Sequence, residues 1–91
     1  MGIQRTAVIG SGLMGAGIAE VLAKSGLDVI VREINDEASA AGRARIEKSL
    51  TRAVEKGKLD SGARDAALGR LRFATDIAEL GDRQLVIEAA S

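Results

Sequence analysis

The stretch from Val8 to Glu33, VIGSGLMGAGIAEVLAKSGLDVIVRE, constrains the fold of this chain more than any other segment. An apolar run, Thr6-Ala7-Val8-Ile9, stops at Gly10, and glycines recur at Gly12, Gly15 and Gly17. A short apolar run that ends in glycine reads as a buried strand. Helical spacing follows from Leu13 to Ser25, with Ile18, Val21, Leu22 and Ser25 on one face and the pair Glu20 and Lys24 on another. Gly26 is placed to end that helix in a left-handed turn. Val29-Ile30-Val31 is β-branched throughout and reads as a second buried strand. Two strands joined by a helix run parallel, with a right-handed crossover.

The alternation continues. Asn35 or Asp36 caps a long helix reaching about Lys56, with Ile46, Leu50 and Ala53/Val54 facing inward and Gly57 ending it. Asp60 or Ser61 opens a further helix through Leu71, with Ala67, Leu68 and Leu71 inward. Arg72-Phe73-Ala74 reads as a short strand, Ile77 to Leu80 as one helical turn, and Leu85-Val86-Ile87 as another buried strand. The order predicts an α/β fold: a Rossmann-type parallel sheet with flanking helices, strand order 3-2-1-4, forming the first half of a doubly wound domain over residues 1–91. Phe73 is the only aromatic residue, so the core must be aliphatic.

The glycines fall where the first strand turns into the first helix. Gly10 allows the tight turn, Gly12 lets backbone approach a pyrophosphate, and Gly15 lets helix and strand pack closely. Phosphates would meet unpaired amides and the positive end of the helix dipole, which makes Gly10, Ser11, Gly12, Leu13, Met14 and Gly15 the expected cofactor-binding residues. Glu33 stands 18 residues after Gly15, at the end of the second strand. A carboxylate there accepts from ribose hydroxyls and repels a 2′-phosphate, which favours NAD over NADP. The fingerprint by itself leaves FAD open, because Ala19, Leu22, Gly26, Val29 and Glu33 also fit the pattern of FAD-binding domains.

Composition narrows the chemistry. Thirteen basic and thirteen acidic residues give zero net charge, which argues against a dedicated nucleic-acid or acidic-membrane binder. Neither cysteine nor histidine occurs, which excludes disulfides, thiolate metal sites and the commonest general base. No metal site is expected. A reducing, cytoplasmic setting fits the absence of cysteine. No apolar run reaches the roughly 18 residues needed to cross a bilayer. The start MGIQRT matches the myristoylation pattern at Gly2, but Arg5 to Gly10 already reads as a core strand.

Three stretches, VIGSGLMGAGIAEVLAKSGLDVIVRE, RIEKSLTRAVEKGKL and TDIAELGDRQLVIEAA, together resemble the amino-terminal part of L-3-hydroxyacyl-CoA dehydrogenases, especially the bacterial 3-hydroxybutyryl-CoA enzymes. The resemblance runs from Arg5 to the end. It implies NAD as cofactor, a 3-hydroxyacyl-CoA oxidised to 3-oxoacyl-CoA as substrate, and a homo-oligomeric intact protein. That family commonly carries Asp where this chain has Glu33. The resemblance implies a CoA contact for Ser49 and Lys56, two helical turns apart on the long helix, and a close approach to the cofactor for Ala89. Glu88 is read as a structural acid.

The family's His–Glu catalytic pair lies beyond the part resembled, and a chain without histidine cannot hold it. Residues 1–91 are therefore expected to be an NAD-binding part without catalytic residues, the carboxyl-terminal part of the family being absent, and to show no turnover alone. Two other readings stay open: another NAD- or FAD-dependent oxidoreductase, against which the long charged helical pair argues, and a free-standing dinucleotide-binding module. A half-sheet of this kind is expected to expose apolar surface and an edge, leaving the isolated chain marginally stable or self-associating.

Overall fold

The computed structural model describes residues 2–89. Its elements are β1 (Arg5–Ile9), α1 (Leu13–Lys24), β2 (Asp28–Arg32), α2 (Asp36–Glu55), α3 (Ser61–Gly69), β3 (Leu71–Ala74), a 3-10 turn (Ile77–Leu80) and β4 (Leu85–Glu88). The four strands form one parallel sheet in the order β3-β2-β1-β4, as the alternation predicts.

Side-chain alternation along the strands sorts the core onto two faces. Val8, Val29, Val31 and Leu71 point to the face covered by α1, α2 and α3, where Ala16, Ala19, Ala23, Ile46, Leu50 and Ala67 meet them. Ala7, Ile30 and Ala74 point to the other face, under Leu80 of the 3-10 turn and half-buried Ile9. The chain thus crosses from one face of the sheet to the other between β3 and β4. This puts the topological switch between β1 and β4, and ligands bind such sheets at the carboxyl ends of the strands beside the switch.

The helix ends follow local chemistry. Asn35 Oδ1 accepts from Ala38 N at 2.8 Å, and Asp60 Oδ2 accepts from Gly62 N at 2.9 Å, so Asn35 and Asp60 are the caps of α2 and α3. Gly26 (φ 96°) and Gly57 (φ 72°) take the left-handed conformation just after α1 and α2. In both places the following amide folds back, Leu27 N to Leu22 O and Lys58 N to Ala53 O. Arg70 Nη1 donates to Ala23 O at 2.8 Å, adding a second bond to a carbonyl that also accepts from the Gly26 amide near the end of α1.

Three expectations are corrected. The face of α1 that meets the sheet is Gly15, Ala16, Ala19 and Ala23, whereas Val21 is 57 % exposed and Ser25 is also exposed. The glycine turn holds α1 so close to β1 that only small side chains fit between them. Leu71 is not the end of a helix: α3 stops at Gly69, and Leu71 opens β3 opposite Val29, still buried. Finally, β4 is an edge strand and not a buried one, with Leu85 and Val86 exposed, because no further element of the described residues covers it.

The amino-terminal edge of the sheet is tied by polar contacts. Arg83, its side chain only 3 % exposed, donates to Asp28 Oδ1 at 2.5 Å and to both carboxylate oxygens of Asp82 at 2.9 Å. Gln84 Oε1 accepts from the amides of Gln4 and Arg5, which fastens the approach to β4 against β1. The hydrogen bonds to Asp82 and Asp28 hold the Arg83 guanidinium still further above its usual range. The hydrogen bond from Arg83, with the charges of Arg83 and Arg5, lowers the exposed Asp82 carboxyl.

Candidate functional site

At the opposite, carboxyl edge of the sheet the chain turns from β1 into α1 through Gly10, Ser11 and Gly12. Gly10 has φ 97°, a conformation open to glycine, and its amide donates to Arg32 O at 2.9 Å. A Cβ at Gly15 would lie 1.9 Å from Gly10 O, so this glycine is what lets α1 close over the turn. That same Cβ would come 3.4 Å from the side chain of Ala89, which follows β4 and donates its amide to Ile9 O at 2.8 Å. Gly10, Gly15 and Ala89 therefore meet at the switch point.

Gly12 is a different case. Its φ is −67°, which any residue adopts, and a Cβ there would meet nothing within 4 Å. Nothing in the described residues requires glycine at this position, so any requirement must come from a bound molecule. Among the described residues, no acceptor meets the amides of Gly12, Leu13 and Met14. These donors open α1 and face the space over Gly12, with the positive end of the helix dipole behind them. An anion with a close-approaching backbone partner suits that arrangement. The side chains of Leu13 and Met14 are 86 % and 64 % exposed and, with Gly17, Ile18, Val21 and Leu22, form an apolar surface beside the amides.

Glu33 follows β2 directly, its amide bonded to Ala74 O at 2.9 Å. Its Oε2 accepts from both the amide (2.5 Å) and the hydroxyl (2.6 Å) of Ser11, while Oε1 meets only Ile34 N, at 3.3 Å. The Ser11 hydroxyl contributes most to holding the Glu33 carboxyl below its usual range. The Ser11 and Ile34 amides and the charge of Arg32 add to this, against a smaller upward push from burial. Glu33 is therefore a carboxylate at neutral pH, with Oε2 engaged by the loop and Oε1 bonded only to Ile34 N.

Two residues that the sequence reading passed over complete the loop's surroundings. Gly42, buried in α2, lies against Ser11: a Cβ there would sit 2.0 Å from Ser11 Oγ and 2.5 Å from Ser11 Cβ. One turn further on, Arg45 Nη1 donates to Ser11 O at 2.5 Å. A glycine in the interior of a long helix was the available signal, since it costs about 1 kcal/mol relative to alanine and so needs a packing reason.

Of the two residues assigned to CoA, Ser49 lines a groove of about 300 Å³ between α1 and α2, together with Leu13, Glu20, Arg45, Lys48 and Arg52. Lys56 lies beyond this groove, exposed at the carboxyl cap of α2. Glu88 is exposed at the end of β4, in register with Ile9.

A family model for the NAD-binding domain of 3-hydroxyacyl-CoA dehydrogenase matches residues 5–91. A 3-hydroxybutyryl-CoA dehydrogenase of Mycobacterium tuberculosis is 56 % identical over 87 residues, covering 96 % of this chain and 30 % of the relative. A 3-hydroxyadipyl-CoA dehydrogenase of Escherichia coli is 46 % identical over 89 residues, covering 98 % of this chain and 19 % of the relative. Among solved structures, M. tuberculosis FadB2 superposes with a TM-score of 0.98 at 54 % identity, over 100 % of this chain and 32 % of that one. The (S)-3-hydroxybutyryl-CoA dehydrogenase PaaH1 of Ralstonia eutropha gives 0.94 at 37 % identity, over 99 % and 32 %. The chain thus spans about a third or less of the length of these relatives.

Proposed function

We propose, from the premise that the chain belongs to the 3-hydroxyacyl-CoA dehydrogenase family as its NAD-binding part, that it holds NAD for the oxidation of a 3-hydroxyacyl-CoA, a short-chain one such as 3-hydroxybutyryl-CoA. The observation that carries this is the meeting, at one sheet edge, of unpartnered amides over a side-chain-free Gly12 with the Glu33 carboxylate. In this reading residues 1–91 are one NAD-binding domain.

NAD supplies the hydride acceptor of the reaction. The residues present fit it. The amides of Gly12, Leu13 and Met14 bind the diphosphate, with Gly10 and Gly15 shaping the turn. Ser11 braces the loop against Glu33, whose Oε1, bonded in the structure only to Ile34 N at 3.3 Å, accepts from the adenosine ribose. The negative charge of Glu33 disfavours a phosphate on the 2′-hydroxyl. Ala89, whose small side chain lies beside Gly15, would leave room for the cofactor at the switch point.

The chain contains no histidine, so residues 1–91 do not form the His–Glu pair that the family resemblance implies for proton transfer from the substrate hydroxyl. Ser49 and Lys56 are the proposed CoA contacts: the hydroxyl donates to an oxygen, and the ammonium acts as a mobile point charge for a phosphate. The groove beside Ser49 supports the first of these, and the exposure of Lys56 supports the second. A homo-oligomeric intact protein and a cytoplasmic setting belong to the same proposal. No helix among the described residues is long and apolar enough to cross a membrane.

Calorimetry with NAD, NADP and FAD tests the cofactor assignment. Binding of NAD is expected, with NADP weaker. Glu33→Ser is expected to weaken NAD and to narrow the gap between the two. Absence of NAD binding, or a preference for FAD, would overturn the reading. For the substrate, Lys56→Ala in the protein as its gene encodes it is expected to weaken CoA binding. Unchanged affinity would remove Lys56 from the site.

A further inference from the structure

Arg45 lies outside the glycine fingerprint, on a different helix, yet it reaches the middle of the loop. Its Nη1 donates to Ser11 O. That carbonyl belongs to the same peptide group as the amide of Gly12. In a trans peptide the C=O and N–H point in opposite directions within one plane, and no cis peptide occurs among the described residues. Holding the Ser11 oxygen on one side therefore sets where the Gly12 N–H points on the other. The preceding peptide is fixed separately, because the Ser11 amide and hydroxyl are both taken by Glu33. Gly42 brings α2 within contact of Ser11, so that Arg45, three residues later on the same face, is within reach.

We infer that Arg45 is a positioning residue for NAD: through the Ser11 carbonyl it aims the Gly12 amide at the dinucleotide's diphosphate. This rests on the NAD-binding reading above. It has a specific consequence. Ligands with a diphosphate depend on Arg45, and the nucleoside portion held by Glu33 does not. The action runs through a short hydrogen bond and not through long-range attraction, so salt does not erase it. At about 1 M salt the screening length is about 3 Å, which suppresses distant charge attraction and leaves a direct bond largely intact.

The test uses calorimetry on the protein as its gene encodes it, with NAD and ADP-ribose titrated directly and adenosine measured by competition, each in low and in about 1 M salt. For Arg45→Ala the dissociation constants of NAD and ADP-ribose are expected to rise about tenfold, the size of one lost charge-assisted bond. Adenosine binding is expected to stay unchanged, and the ratio between variant and parent to persist in high salt. Arg45→Lys, which keeps a donor and the charge, is expected to restore part of the loss. Arg45 is exposed on α2, so the alanine variant is expected to fold. Parent-like NAD affinity in Arg45→Ala would overturn the inference. So would an equal loss for all three ligands, or a loss that vanishes in high salt. Failure of the parent protein to bind NAD is a separate result, which removes the cofactor reading itself and this inference with it.

Discussion

Glu33 Oε2 takes both the amide and the hydroxyl of Ser11, at 2.5 and 2.6 Å, so the acid at the end of β2 and the centre of the glycine turn form one unit. These bonds lower the Glu33 carboxyl from its ordinary value of 4.5. A carboxylate whose pKa is depressed on folding stabilises the native state fully above its unfolded value, and the contribution disappears as pH falls through the lowered native value. Glu33→Gln keeps an acceptor but loses the charge. Urea unfolding of parent and variant is therefore expected to differ by about 1 kcal/mol at neutral pH. The gap should close in acid, below the ordinary glutamate range. A gap that stays constant into acid would show that the charge of Glu33 adds nothing.

Gly12 and Gly15 stand three residues apart and are expected to fail in opposite ways. Alanine at Gly15 places Cβ 1.9 Å from a backbone oxygen, which a helix-propensity gain of about 1 kcal/mol cannot offset. A loss of at least about 3 kcal/mol is expected in denaturant titration. Alanine at Gly12 meets nothing in the protein, so its stability is expected within about 1 kcal/mol of the parent, while NAD affinity falls tenfold or more. Loss of stability without loss of affinity at Gly12 would reverse the argument.

Gly42 reports the packing of α2 on the loop. Alanine would gain helix propensity at this position, yet its Cβ would sit 2.0 Å from Ser11 Oγ. Gly42→Ala is expected to weaken NAD binding about tenfold by pushing the Ser11–Gly12 peptide. Both atoms that a Cβ would strike most closely belong to the Ser11 side chain, so Ser11→Gly is expected to relieve the clash. In a double-mutant cycle the two substitutions should couple by at least about 1 kcal/mol in stability, with the double variant better than the sum. Additive effects would show that α2 and the loop adjust independently.

The parts of this molecule that local chemistry dictates were open to sequence reasoning. Gly10, Gly26 and Gly57 all take left-handed conformations where the turns were expected, and the caps at Asn35 and Asp60 are the residues whose side chains can accept the first free amides. Parallel direction followed from helices joining successive strands, and the strand order from the doubly wound pattern that the glycine turn announces. What the sequence did not disclose depends on distance across the fold. The inward face of α1 was only partly placed: Ile18 and Leu22 do pack against the core, but Val21 outranks Ala19 and Ala23 in apolarity although the alanines are what fits beneath the turn. The exposure of β4 could not be read from Leu85-Val86-Ile87, since burial depends on what lies over the strand. The role of Arg45 was invisible for the same reason, and Gly42 announced only that some neighbour comes close: their partner Ser11 is more than thirty residues away in sequence.

The end of the sheet remote from the cofactor loop offers a control for all of these variants. Arg83 is nearly buried and joins β2, through Asp28, to the segment that leads into β4, through Asp82. It also reaches Thr6 O, at 3.4 Å. Removing it leaves both carboxylates accessible to water, 58 % and 61 % exposed, so the cost is well below that of stranding a buried charge. Arg83→Ala is expected to lower stability by about 1–2 kcal/mol, from the lost hydrogen bonds and the packing of the guanidinium stem. Because β4 is an edge strand whose approach is held by Arg83 together with the bonds of Gln84 to Gln4 and Arg5, local opening should appear first there. Amide hydrogen exchange is expected to quicken over residues 84–87, while the Gly10 and Ser11 amides, bonded to Arg32 O and Glu33 Oε2, keep their protection. NAD affinity is expected to stay within about twofold of the parent. Exchange that quickens equally at both edges would show that the sheet opens as one body and that Arg83 ties no single strand.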